Sequence, residues 1–151
     1  MPEIEPVLLI SVEQLLQHAR DRSSEELLTL SSVLDQALPE IRERAGLEEY
    51  GSSQAAAFQC RRAAREVVHE LQRRSYDAVR LAGYVEQGNK DWLEHEVALV
   101  RLEEHWLTID LTAAQLSWFQ GKPTVIILCE PGWTSLEAAL RDSYSWWIPN
   151  Q

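Results

Sequence analysis

HEVALVRLEEHWLTIDLTAAQ, residues 95–115, holds two runs in which apolar and polar side chains alternate, divided only by Glu103 and Glu104. Alternation with a period of two is the signature of a strand with one face on a core. Two such runs joined by two residues predict an antiparallel hairpin. With Glu103 and Glu104 as the turn, Leu102 faces His105 and His95 lies opposite Thr112. Asp110 then shares a sheet face with His95 on the diagonal, at about 7 Å between Cβ atoms, close enough for an imidazole to reach a carboxylate.

Working outward, AVRLAGYVE (78–86) alternates as a strand ahead of the hairpin strands EHEVALVRLE and HWLTIDL. PTVIILCE (123–130) is a continuous apolar run of the kind found in interior strands, and TSLEAALRD reads as a short helix starting at Thr134. Upstream the period changes. SVEQLLQHARD (11–21) opens with Ser and carries Gln three residues later, a helix-start spacing. SSEELLTLSSVLDQALPE places Leu27, Leu30, Leu34 and Leu38 on one helical face, with a stop expected at Pro39. IRERAG ends at Gly46, and LEEYGSSQ reads as a loop. From Ala55 to Arg74 a helix-rich stretch lines up Cys60, Ala64, Val67, Val68 and Leu71 as a buried face. The pattern predicts an α+β fold, with N-terminal helices and a central helix packed on an antiparallel sheet. One domain spans 1–151, with 1–50 as a helical N-terminal layer and 51–151 as the core that would carry any chemistry.

Composition narrows the partners. With 24 acidic and 14 basic residues the formal charge is -10, so nucleic acid and anionic membranes are poor matches and a protein or peptide is the expected partner. No run approaches the roughly 20 apolar residues of a membrane span, and no signal peptide is legible, which predicts a cytoplasmic protein or one delivered by a specialised secretion system. Two cysteines, Cys60 and Cys129, do not make a disulfide framework. No Cys/His spacing resembles a metal site, so neither metal nor cofactor is expected. Oligomeric state is not legible.

An aspartate on one imidazole nitrogen fixes the tautomer and leaves the other nitrogen to handle a nucleophile's proton. Cys60 is the natural nucleophile, since it follows the GSSQ loop near a helix start, where peptide dipoles favour a thiolate. Each residue also has a plain structural reading: a small buried thiol, a strand histidine, a strand-end carboxylate binding local amides. His105 at the hairpin turn is expected to face solvent and Trp106 the core, while Cys129 is expected to be buried and inert. Trp92 and Trp118 flank the hairpin and could wall a substrate cleft, and Trp146 and Trp147 could mark a partner surface.

SYDAVRLAGYVEQ, then His95, Trp106 and Asp110-Leu-Thr, resembles the core of the transglutaminase-like cysteine proteins within the papain-like group, over about residues 51 to 115. The resemblance implies a papain-like or transglutaminase-like core with Cys60 as nucleophile, His95 as general base and Asp110 as the orienting acid. It also implies an oxyanion-hole glutamine, for which Gln54 and Gln59 are both candidates. The sequence departs from the family around the nucleophile, where Phe58-Gln59-Cys60-Arg61 stands in place of Trp-Cys or Gly-x-Cys, and after His95, where Glu96-Val97 replaces an aromatic.

The expected activity is thiol-dependent acyl transfer on amide bonds of a protein or peptide, as in a cysteine protease, glutamine deamidase or transglutaminase, in the setting of a bacterial effector or toxin domain. The alternative is a non-catalytic acidic binding protein, such as an immunity-type inhibitor or an inactive relative on the same scaffold.

Overall fold

A computed structural model describes residues 6–47, 59–86, 92–116, 119 and 121–147. The fold is α+β. In chain order the elements are β1 (Val7–Leu9), α1 (Val12–Asp21), α2 (Glu25–Ala45), α3 (Cys60–Arg73), β2 (Ala78–Glu86), β3 (Trp92–Arg101), β4 (Trp106–Asp110), a 3-10 turn (Ala113–Gln115), β5 (Val125–Cys129), α4 (Trp133–Tyr144) and β6 (Trp146–Trp147). The strands form one sheet in the order β1-β5-β4-β3-β2-β6, and every neighbouring pair is antiparallel.

The hairpin has the expected register. Arg101 pairs with Trp106 and Ala98 with Ile109, and the Leu102 amide donates to the His105 carbonyl at 2.8 Å across Glu103-Glu104. β3 begins six residues before its last pair with β4, so its early half, including His95, runs past the point where β4 ends.

Helices cover both faces of the sheet. On one, α2 and α3 press Leu30, Leu34, Val67 and Leu71 against Val100, Leu107, Ile109 and Ile126. On the other, Leu136, Leu140 and Tyr144 of α4 meet Leu81, Leu99, Val125 and Ile127. β5 supplies side chains to both cores, which is why its sequence is apolar without alternation and all five residues are buried. α1 and α2 share the first core with α3 and the sheet.

Local sequence explains the helix ends. The Ser11 and Ser24 hydroxyls cap α1 and α2 by accepting from the Gln14 and Leu27 amides, and Gly46 closes α2 at a φ of 72°, where a side chain would be strained. Pro39 does not end α2 as its sequence suggested. The helix runs through it, because Ile41 and Ala45 continue the buried stripe begun by Leu27, Leu30, Leu34 and Leu38, and their burial outweighs one lost backbone hydrogen bond. The central helix begins at Cys60, five residues later than Ala55; residues 55–58 lie outside the described part of the chain. β1 and β6 were not foreseen as strands. No helix among the described residues is long and apolar enough to cross a membrane.

Candidate active site

Cys60 is the first residue of α3, with Gln59 as its cap residue. The Gln59 side chain makes no capping bond, and the first turn carries Arg61 and Arg62 where helix starts ordinarily prefer acids. The turn itself carries no acid, and Glu94 of β3 pairs with Arg61 at 2.6 Å. The Cys60 thiol is half-buried and lies near enough to the His95 ring to help raise its pKa.

His95 stands on β3 opposite Gly83 of β2 and is wholly buried. Its Nε2–H donates to Asp110 Oδ2 at 2.6 Å. With Nε2 held by Asp110, a proton exchanged with the thiol would pass through Nδ1. His95 thus stands between a thiol on a helix end and a carboxylate on a strand end.

Asp110 is held by more than the histidine. Tyr144, from the last turn of α4, donates its hydroxyl to Oδ2 at 2.8 Å, and the Thr112 amide and hydroxyl donate to Oδ1 at 2.8 and 3.3 Å. The two threonine bonds form because the chain turns at the end of β4 and brings the residue two positions on back over the carboxylate. Tyr144 also packs near the His95 ring, with centroids 6.0 Å apart, and against Phe119 at 5.3 Å.

The electrostatics follow from this arrangement. Burial alone would depress the His95 pKa, but the Asp110 charge and hydrogen bond, with the nearby Cys60 thiol, outweigh it and raise the imidazole to about 9. Burial would likewise raise Asp110, yet the His95 charge and the bonds from His95, Tyr144 and Thr112 hold its carboxyl below the usual range. Tyr144 moves far the other way, through burial and the adjacent carboxylate. At neutral pH the centre of the site is an imidazolium beside a carboxylate.

Arg42 of α2 reaches the same end of the sheet, donating through Nη2 to the Pro123 carbonyl and the Thr124 hydroxyl. Burial lowers its pKa and the Asp110 charge opposes that.

Of the residues expected at a site, Cys60, His95 and Asp110 come together and Gln59 sits directly before the thiol. Gln54 and Trp118 lie outside the described residues, and Trp92 opens β3 with its side chain also outside them. Thr112, Tyr144 and Arg42 were missed. Thr112 could have been found from its place two residues after an aspartate at a strand end; Tyr144 and Arg42 carry no such local signal. Cys129 is buried in β5, its thiol pushed up to about 11 by burial and the Glu130 charge. His105 does not face solvent: it is largely buried, with Nδ1 at 2.8 Å from Glu26 Oε2 of α2. The acidic side chain across from it draws the ring down onto the helix. Trp106 packs edge-on against Trp133 at 5.3 Å.

No group of three or more His, Cys, Asp or Glu side chains among the described residues could hold a metal ion. No protein-family model, curated protein or solved structure matches the chain.

Proposed function

We propose that the protein is a thiol-dependent acyl-transfer enzyme acting on amide bonds of a protein or peptide, with Cys60 as nucleophile, His95 as acid and base, and Asp110 as the group that orients His95. The observation that carries this reading is His95 hydrogen-bonded to a buried carboxylate with the thiol of the first residue of a helix near enough to its ring to help raise its pKa. The chain order Cys, His, Asp, with the thiol opening a helix, supports a papain-like or transglutaminase-like core as the finer description of the fold.

The reactive form is a Cys60 thiolate beside the His95 imidazolium. The sulfur attacks the amide carbonyl carbon, and the carbonyl π pair moves to oxygen. The first turn of α3, which carries no acidic side chain of its own and places Arg61 and Arg62 beside the thiol, suits that oxyanion. As the C–N bond breaks, His95 delivers its Nδ1 proton to the departing nitrogen and leaves an acyl-thioester. Neutral His95 then takes a proton from water, whose oxygen attacks the thioester carbon; the C–S bond breaks and the sulfur leaves as the thiolate beside the imidazolium. Release of ammonia from a glutamine makes the reaction a deamidation, release of an amine from a peptide bond makes it proteolysis, and an amine in place of water makes it transamidation.

A non-catalytic acidic binding protein is favoured by one observation, the complete burial of His95, which also suits a structural ion pair. Thiol reactivity separates the two. Iodoacetamide at pH 7 should alkylate Cys60 at least tenfold faster than Cys129, and His95→Gln should slow the Cys60 reaction by a similar factor. Equal, slow labelling of both cysteines sinks the enzyme reading.

A further inference from the structure

The acidity of the chain hides a local reversal. Six of its fourteen basic residues are arginines between Cys60 and Arg80, against only Glu66, Glu70 and Asp77. Glu70, nearly buried, draws in Arg44, Arg73 and Arg74. Arg61 is engaged by Glu94, and Arg62 donates to the Arg44 carbonyl. Arg65 remains, exposed on α3 and with no ion pair among the described residues.

Arg65 stands on the wall of a groove of about 570 Å³ between α3 and β2. Val68, nearly buried, and Val79, on the opposite sheet face from Arg80 and packed against the α4-side core, give it its apolar border, and Arg65, His69, Gln72 and Arg80 supply its polar lining. Arg80 also reaches Glu96 at 3.5 Å while keeping about half its side chain exposed. Along this groove the outer edge of β2 is unpaired among the described residues, because β6 meets it only at Tyr84 and Val85. An unpaired strand edge beside a lined groove is the geometry that accepts an extended chain.

We infer that the α3–β2 groove docks an extended segment of a protein substrate in which acidic and apolar side chains alternate, acidic ones toward Arg65 and Arg80 and apolar ones toward Val79 on the other face of the strand. This inference rests on the acyl-transfer reading only in tying the groove to Cys60. Arg65 is five residues along α3 from Cys60, a rise of about 7.5 Å. An extended peptide covers that rise in two or three residues, and with Arg65 about 140° around the helix from Cys60 a few residues more would carry a bound segment from the groove to the thiol. Nucleic acid fits less well, since a long polyanion would meet the field of a chain carrying -10 overall, whereas a short acidic segment samples only the groove.

The test uses the full chain and a fluorescein-labelled nine-residue peptide alternating glutamate and leucine, followed by fluorescence anisotropy at low salt. The glutamate peptide should bind at least tenfold more tightly than its glutamine counterpart. Arg65→Glu should remove that preference, whereas Arg141→Glu on the exposed side of α4 and Cys60→Ala should leave it intact. Equal binding of the two peptides, or an Arg65→Glu protein that still prefers the glutamate peptide, overturns the inference. So does tighter, Arg65-dependent binding of a twelve-nucleotide single-stranded RNA. Peptide binding as expected with an unreactive Cys60 would remove the enzyme reading and leave the groove; a reactive Cys60 with no glutamate preference would do the reverse.

Discussion

Asp110 has both carboxylate oxygens occupied, with His95 and Tyr144 on one and the Thr112 backbone and hydroxyl on the other. A buried carboxylate so furnished is anchored, and its loss leaves a buried imidazole whose charge has no counterpart. Asp110→Asn should therefore destabilise the fold by about 3–5 kcal/mol in urea titration, the cost of removing one member of a buried ion pair. The pair also sets a pH signature. His95 is raised from its ordinary 6.5 to about 9, so its contribution is complete below about 6.5 and is lost as pH climbs through 9. Asp110 is lowered, so its contribution is complete above the ordinary carboxylate range near about 3.9 and is lost as pH falls through its folded value. The two describe one interaction from its two ends and do not add. The stability difference between the native chain and His95→Gln should hold steady from about pH 4.5 to 6.5 and shrink toward pH 9; parallel profiles across that range would show that His95 is not charged in the fold.

At the scale of elements, α2 carries a proline in its interior without stopping. Pro39 is exposed, so its ring contributes little packing while it removes a hydrogen bond from the Asp35 carbonyl. Pro39→Ala should stabilise the protein by about 1–3 kcal/mol, read as a higher urea midpoint; an unchanged midpoint would mean that the helix has already relaxed around the ring. The same residue shows where sequence reading fails. A proline weighs heavily in a local pattern, whereas the burial of Ile41 and Ala45 that overrides it belongs to the tertiary structure. The hairpin was legible down to its register because alternation and a two-residue turn leave little freedom, and the boundaries of β2 were legible for the same reason. β1 and β6 are three and two residues long and display no period. At the candidate site, the nearness of Cys60, His95 and Asp110 was legible from residue type and, for the last two, from strand parity. Tyr144 was not, since it reaches Asp110 from 34 residues further along the chain, from a helix on the far side of a sheet whose order had not been drawn.

For the molecule as a whole, α1 and α2 are joined to α3 and the sheet by one buried cluster, and β1 adds a strand to the sheet's edge. Far-UV circular dichroism, dominated by the helices, and tryptophan fluorescence, dominated by residues from Trp92 onward, should report one coincident urea transition. Two separate transitions would mark the helical layer as an independent unit. β1 has a further consequence. β5 is VIILC, uncharged, rich in branched side chains and apolar on both faces, the composition of segments that stack into fibrils when an edge is bare. Its inner edge is taken by β4; among the described residues the outer one is taken by Val7, Leu8 and Leu9. Those three residues precede β5 in the chain, so during synthesis they are available before the strand they shield is made. β1 thus acts as a guard against aggregation, keeping the stickiest strand of the protein from templating the edge of another copy.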